Sequence, residues 1–222
     1  MRQSGLDDRE VAYLHGIRGV HTAAVGELVG TGAQHVVRAY APEEGNVIPR
    51  VIKYPRAKAL RDVFSACVSP SITPTVAQME RDVRLCKAYL SPFTVTPDVH
   101  TDAESQRYAL LQPRLKISDL TPGDVHRDGE LRRELLEIID GNRRLLAAEK
   151  LWFDFMGWNM GNILRGHAYL DNVCKRAEPS AVRLAIVDCT LFPAPNRSLR
   201  GIHAWFLQQV QRLNLRRYGV AM

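Results

Sequence analysis

The chain has 222 residues, 45% of them hydrophobic and 24% charged, with 15 glycines and 12 prolines. That balance supports a folded domain with a real core and excludes a disordered or low-complexity chain. No apolar run approaches the roughly 18 residues a membrane helix needs, and the opening Met1-Arg2-Gln3-Ser4-Gly5-Leu6-Asp7-Asp8 lacks the apolar stretch of a secretory signal.

Cys67, Cys86, Cys174 and Cys189 form no Cys-x-x-Cys knuckle, and none has a histidine at finger spacing. Neither a structural zinc site nor a disulfide framework is expected, and a reducing cytoplasm is the expected location. The formal charge of +6 is unevenly placed: after Asp188 come Arg197, Arg200, Arg212, Arg216 and Arg217 and no acid. Such a segment is either the wet face of a helix or a docking surface for an acidic partner. A nucleic-acid-binding protein using these arginines is one alternative reading, although no recognised nucleic-acid motif accompanies them.

In chain order, a short helix is expected over Asp8 to His15. Ala24 to Val29, Val36 to Tyr40 and Val47 to Tyr54 read as three antiparallel strands, the first turn being Gly30-Thr31-Gly32-Ala33-Gln34. Thr75 is placed to cap a helix running to about Leu90, with Val76, Met79, Val83, Cys86 and Leu90 on one stripe. Strands over Thr94 to His100 and Arg107 to Leu111 follow, and Gln112-Pro113-Arg114 ends this half. Asp128 caps a long helix from Gly129 to Glu149 whose buried stripe is Leu131, Leu135, Ile138, Ile139, Leu145 and Leu146. Beyond an aromatic stretch, Ile163-Leu164-Arg165 reads as a strand and Gly166 to Ser180 as a polar excursion. Val182 to Val187 reads as a strand that ends in Asp188. A last helix over Leu199 to Tyr218 places Leu199, Ile202, Trp205, Phe206, Val210 and Leu213 on its apolar face. The expected class is α+β with two lobes, a β-rich 20–112 and a mostly helical 113–222, together forming one domain over 1–222.

Several residues carry chemistry in this order. Gly30 and Gly32 let backbone N–H groups approach phosphate oxygens, although a Gly-x-Gly hairpin is also simply a tight turn. Lys53 either points outward as a solubilising strand charge or lies under the glycine turn, where its ammonium neutralises nucleotide phosphates. In the second case a carboxylate should hold it, Glu80 first and Asp82 second; a wet helix face paired with Arg84 is the plain reading of Glu80. Asn162, before one short strand, and Asp188, after the returning one, would bring two hard oxygen ligands to one end of a ribbon, a set that suits Mg²⁺. Each also has a plain reading, as a turn cap and a strand end.

Residues from Gly30 to about Phe192 resemble the protein-kinase-like superfamily, shared by eukaryotic-type kinases and aminoglycoside or choline phosphotransferases. Gly30-Thr31-Gly32-Ala33-Gln34-His35-Val36 resembles its phosphate-covering loop, Lys53 its strand lysine and Glu80 the helix partner. Leu110-Leu111-Gln112-Pro113-Arg114 resembles its adenine-binding hinge, with Gln112 at the centre. Asn162 in Gly161-Asn162-Ile163-Leu164 resembles the catalytic-loop asparagine, and Asp188 the metal-binding aspartate. Small bacterial kinase-like proteins of the PhoP-regulatory-network type are similar in length and in ending soon after that aspartate. The resemblance implies a truncated second lobe, ATP and Mg²⁺ as cofactors, and transfer of the γ-phosphate to a hydroxyl on a protein or small molecule.

The departures are specific. His35 stands at the third glycine of the loop, Cys189-Thr190 follows Asp188 in place of Phe-Gly, and Gly157 occupies the place of the catalytic base. Asp154 is the nearest acid and the expected base. Without it the chain would be a pseudokinase, a nucleotide-binding regulatory module.

Overall fold

Capping and alternation, both local signals, account for most of the elements. The computed structural model describes residues 5–31, 35–41, 49–55, 75–102, 104–157, 170–195 and 199–221, the last with side chains from Trp205 onward. The chain is α+β. Its described residues divide into two compact units. One holds the N-terminal segment, the helix that follows the third strand as far as Glu80, and Thr96–Leu115; the other takes that helix from Arg81, continues to Val95, and resumes at Lys116.

In the first unit, α1 (Asp8–Leu14) opens with a reciprocal cap. The Asp7 carboxylate accepts from the Glu10 N–H at 2.8 Å, and Glu10 accepts from the Asp7 N–H at 3.0 Å. The strands β1 (Val25–Thr31), β2 (His35–Tyr40), β3 (Arg50–Pro55), β4 (Asp98–Asp102) and β5 (Arg107–Pro113) form one antiparallel sheet in the order β1-β2-β3-β5-β4. Alternation sends Val36, Tyr40, Ile52, Tyr54, Ala109 and Leu111 to one face, where they pack with Leu14 and Ile17. A polar clamp crosses the same face. Arg38 donates to Glu10 at 2.8 Å and to the Tyr54 hydroxyl oxygen at 3.0 Å, and that hydroxyl donates to Glu10 at 2.5 Å. The strand expected from Thr94 begins instead at Asp98. Pro97 has no N–H for a ladder, and Thr94 makes an isolated parallel bridge to Ile186.

The helix α2 (Val76–Leu90) starts at the expected cap: Thr75 Oγ1 accepts from the Gln78 N–H at 3.2 Å, and Gln78 Oε1 accepts from the Thr75 N–H at 2.9 Å. In the second unit, a short helix that the sequence reading omitted, α3 (Pro122–Arg127), begins at a Thr121–Asp124 capping box. α4 (Gly129–Glu149) spans the residues expected of it, and Asp128 accepts from the N–H groups of Glu130 and Leu131. Its buried stripe is Leu131, Leu135, Ile138, Ile139 and Leu145. Gly141 lets α4 approach the Tyr89 backbone: a Cβ there would lie 2.3 Å from the Tyr89 carbonyl oxygen.

Two polar side chains on the buried side of α4 fix the strands that follow. Asn142 Oδ1 accepts from the Phe153 N–H at 2.7 Å, and Glu134 accepts from the N–H groups of Arg183 and Leu184 at 3.0 and 2.8 Å. They hold β7 (Leu151–Phe153) and β9 (Leu184–Ile186). β7 pairs with β10 (Leu191–Pro193), while β6 (Ile117–Asp119), β8 (Val173–Arg176) and β9 form a three-stranded sheet in the order β6-β8-β9.

Two expectations are corrected here. The polar excursion contains β8, which pairs with β9 and carries Lys175 in an ion pair with Asp124 at 2.8 Å. The expected strand 163–165 lies outside the described residues. The last helix, α5 (Leu199–Arg217), buries Leu207, Gln208, Gln211, Asn214 and Leu215, while Trp205, Phe206 and Leu213 are exposed. Periodicity placed the aromatic side inward. The amides turned inward instead, because they meet polar groups there: Gln211 Nε2 donates to Phe153 O at 2.9 Å, and Asn214 Nδ2 lies 2.9 Å from Met156 Sδ.

Candidate functional site

The residues assigned to nucleotide binding lie in the first unit. Cross-strand pairing sets Gly30 opposite Val37, Val37 opposite Lys53, and Lys53 opposite Leu110. Directly paired residues share a face, so Gly30 and Lys53 stand in one row, two strand spacings or about 10 Å apart. Gln112 pairs with Val51, two residues along β3 from Lys53, and therefore shares that face. It is the face opposite the one that packs on α1. Lys53 is only 8% exposed and Gln112 6%, so Lys53 is not an outward solubilising charge. His35 Nε2 lies 3.1 Å from the Tyr108 hydroxyl, which fixes the beginning of β2 on β5. Gly32 lies outside the described residues.

The two carboxylates considered as partners of Lys53 differ in environment. Glu80 is exposed. Asp82 is buried and pairs with Arg81 at 2.8 Å. Burial raises the Asp82 carboxyl to about 6, and the nearby Asp188 charge adds to this, against Arg81 and the Leu191 N–H, which favour the anion.

Asp82 thus belongs to a second cluster, in the second unit, around Asp154 and Asp188. Asp154 closes β7, and Asp188 lies between β9 and β10. Because β10 pairs with β7, setting Leu191 opposite Phe153, the two acids lie at the same end of this pairing. Thr190 links them: its carbonyl accepts from the Asp154 N–H at 3.2 Å, and its hydroxyl donates to Asp188 Oδ1 at 3.3 Å. Asp154 is buried, and its Oδ1 accepts from the Met156 N–H at 3.0 Å. Burial pushes its carboxyl up to about 7, with the Asp188 and Asp171 charges adding to the rise and the N–H groups of Met156 and Gly157 opposing it. Both the acid and the carboxylate form of such a group are populated near neutral pH.

Asn162 lies outside the described residues. The asparagine that precedes the strand paired with β9 is Asn172. It donates from Nδ2 to Asp154 O at 2.8 Å, and its carbonyl accepts from the Val187 N–H at 3.1 Å, so it ties the Asp154 turn to the Asp188 strand. Gly157 has a φ of +61°, and a Cβ there would meet Asp171 Cβ at 3.1 Å, so glycine lets this turn close on 171–172. Asn172 was legible as an Asn before Val-Cys, but it sits in a run of polar residues that hid the strand. Gln211 and Asn214, which support Phe153 and Met156 on either side of Asp154, carried no local signal at all.

Among the described residues, no three metal-ligating side chains converge. No helix among the described residues is long and apolar enough to cross a membrane. No protein-family model matches the chain, and no curated protein matches it.

Proposed function

We propose that the chain is a minimal kinase-like phosphotransferase that uses ATP and Mg²⁺ and transfers the γ-phosphate to a hydroxyl. The observation that carries this reading is that Thr190 hydrogen-bonds both Asp154 and Asp188, with one carboxyl raised to about 7 and the other half-exposed. The row from Gly30 to Lys53, with Gln112 on the same face, supports it independently. The strand order of the first unit, with a helix between β3 and β4, is consistent with the two-lobed arrangement that the sequence resembles.

In this reading each residue has one task. Gly30 and Gly32 present backbone N–H groups to the phosphates, and Lys53 places an ammonium among them. Gln112 lines the adenine side. Asp188, aided by the Asn162 amide, holds Mg²⁺, which when bound neutralises charge on the transferring phosphoryl group. Asp154 accepts the proton of the attacking hydroxyl. Thr190, Asn172 and Gln211 keep its backbone in place.

Purified protein with γ-labelled ATP and Mg²⁺ should transfer label to itself or to a hydroxyl acceptor, and Asp188→Ala should abolish it. Undiminished transfer in that variant refutes the proposal. The burial of Asp154 favours one second reading, a pseudokinase that binds nucleotide as a regulatory module. ATP would then raise the unfolding midpoint, because a ligand bound to the native state stabilises it, with no transfer over hours.

A further inference from the structure

The outward side of α5 carries large apolar groups: Trp205 is 53% exposed, Phe206 46% and Leu213 59%. Arg212 and Arg216 are exposed on the same side and make no ion pair among the described residues. At 3.6 residues per turn, Trp205, Gln209, Arg212 and Arg216 form one row, and Phe206 and Leu213 form the row beside it. The opposite side is anchored: Gln211 and Asn214 hold Phe153 and Met156, and just beyond the helix the Tyr218 hydroxyl donates to Leu120 O at 2.9 Å. The stripe is therefore presented in a fixed orientation, about three turns or about 17 Å long.

We propose that this stripe docks an acidic amphipathic helix of another protein, one that carries Asp or Glu one turn apart among Leu and Phe. Charge complementarity selects this occupant. No acid follows Asp188 in the sequence, so the face offers only cations to a partner. A second copy of the chain would bring Arg212 close to its own counterpart across an antiparallel pairing, a like-charge contact. A bilayer suits an apolar face flanked by cations, whereas here Arg212 and Arg216 share the row of Trp205 and would be carried toward acyl depth. A carboxylate-bearing helix in the groove between the two rows meets both groups at once, with Trp205 and Leu213 as anchors.

The test is a selection from a random library of peptides about 16 residues long on immobilised full-length protein, with the enriched peptides titrated in solution. The expected result is enrichment of acidic, Leu- and Phe-containing sequences whose affinity falls at least about tenfold with Arg212→Glu plus Arg216→Glu. Affinity should also fall with Trp205→Ser. All three residues are exposed, so circular dichroism and the unfolding midpoint should be unchanged. The proposal is overturned if nothing is enriched, if neutral or basic peptides are enriched, or if the selected peptides bind the variants equally. Tighter binding to phosphatidylglycerol vesicles or to random duplex DNA than to the peptides, or self-association that Trp205→Ser abolishes, also overturns it.

Discussion

Replacing Asp154 by asparagine should change how stability depends on pH. The wild-type carboxyl titrates at about 7 in the native state and near 3.8 when unfolded. The native state therefore holds a proton that the unfolded chain has released throughout the window from about 4 to about 7. Its contribution to stability is complete below pH 3.8 and is lost as pH rises through 7. At about 1.36 kcal/mol per pH unit, the gap corresponds to about 4 kcal/mol. Asp82, raised to about 6, shifts stability in the same direction between pH 4 and 6, but it is present in both proteins and cancels in the comparison. The asparagine amide keeps an acceptor for the Met156 N–H and cannot ionise. Urea unfolding followed by circular dichroism at pH 4.5 and pH 8, which sweeps most of that window, should thus show Asp154→Asn gaining about 3 kcal/mol on the wild type as pH rises. A wild-type-minus-variant difference that is flat with pH, or that grows in favour of the wild type at pH 8, refutes the burial argument.

Gly141→Ala should lower the unfolding midpoint despite alanine's better helix propensity, worth about 1 kcal/mol, because its Cβ would lie 2.3 Å from the Tyr89 carbonyl oxygen and the contact is with backbone. A midpoint equal to or above wild type in a thermal scan would contradict that packing. Glu134→Ala should cost about 2–4 kcal/mol in chemical denaturation, since it strands the N–H groups of Arg183 and Leu184 at the start of β9; a loss under 0.5 kcal/mol would show that water replaces the carboxylate. Gln211→Leu should weaken transfer activity through the Asp154 turn while leaving ATP affinity unchanged, and equal losses in both would argue against a positioning role.

What could be read from the sequence was whatever its neighbours determine. Asp128 and the Leu131–Leu145 stripe define α4, and Thr75 with Gln78 defines the start of α2, because cap and periodicity act within a few residues. Thr121-Pro122-Gly123-Asp124 carries the same kind of signal for α3. The orientation of α5 was not readable, since its inward amides are justified only by Phe153 and Met156, remote in the chain. β8 was hidden because Lys175 and Arg176 look solvated, and only Asp124 explains why Lys175 belongs there. Of the candidate residues, the sequence offered types alone: Gly30 and Lys53 in the first unit, Asp154 and Asp188 in the second. The Asp154–Thr190–Asp188 link depends on β7–β10 pairing, and the raised carboxyls depend on burial. Neither has a local signature.

The most direct measurement of the central claim is calorimetric titration of the full-length protein with ATP in the presence and absence of Mg²⁺, repeated with Lys53→Met and Asp188→Asn. Saturable binding is expected, with affinity falling at least about tenfold in Lys53→Met. Asp188→Asn is expected to erase the dependence on Mg²⁺. Absence of ATP binding, or an affinity that neither substitution nor Mg²⁺ changes, would contradict the account.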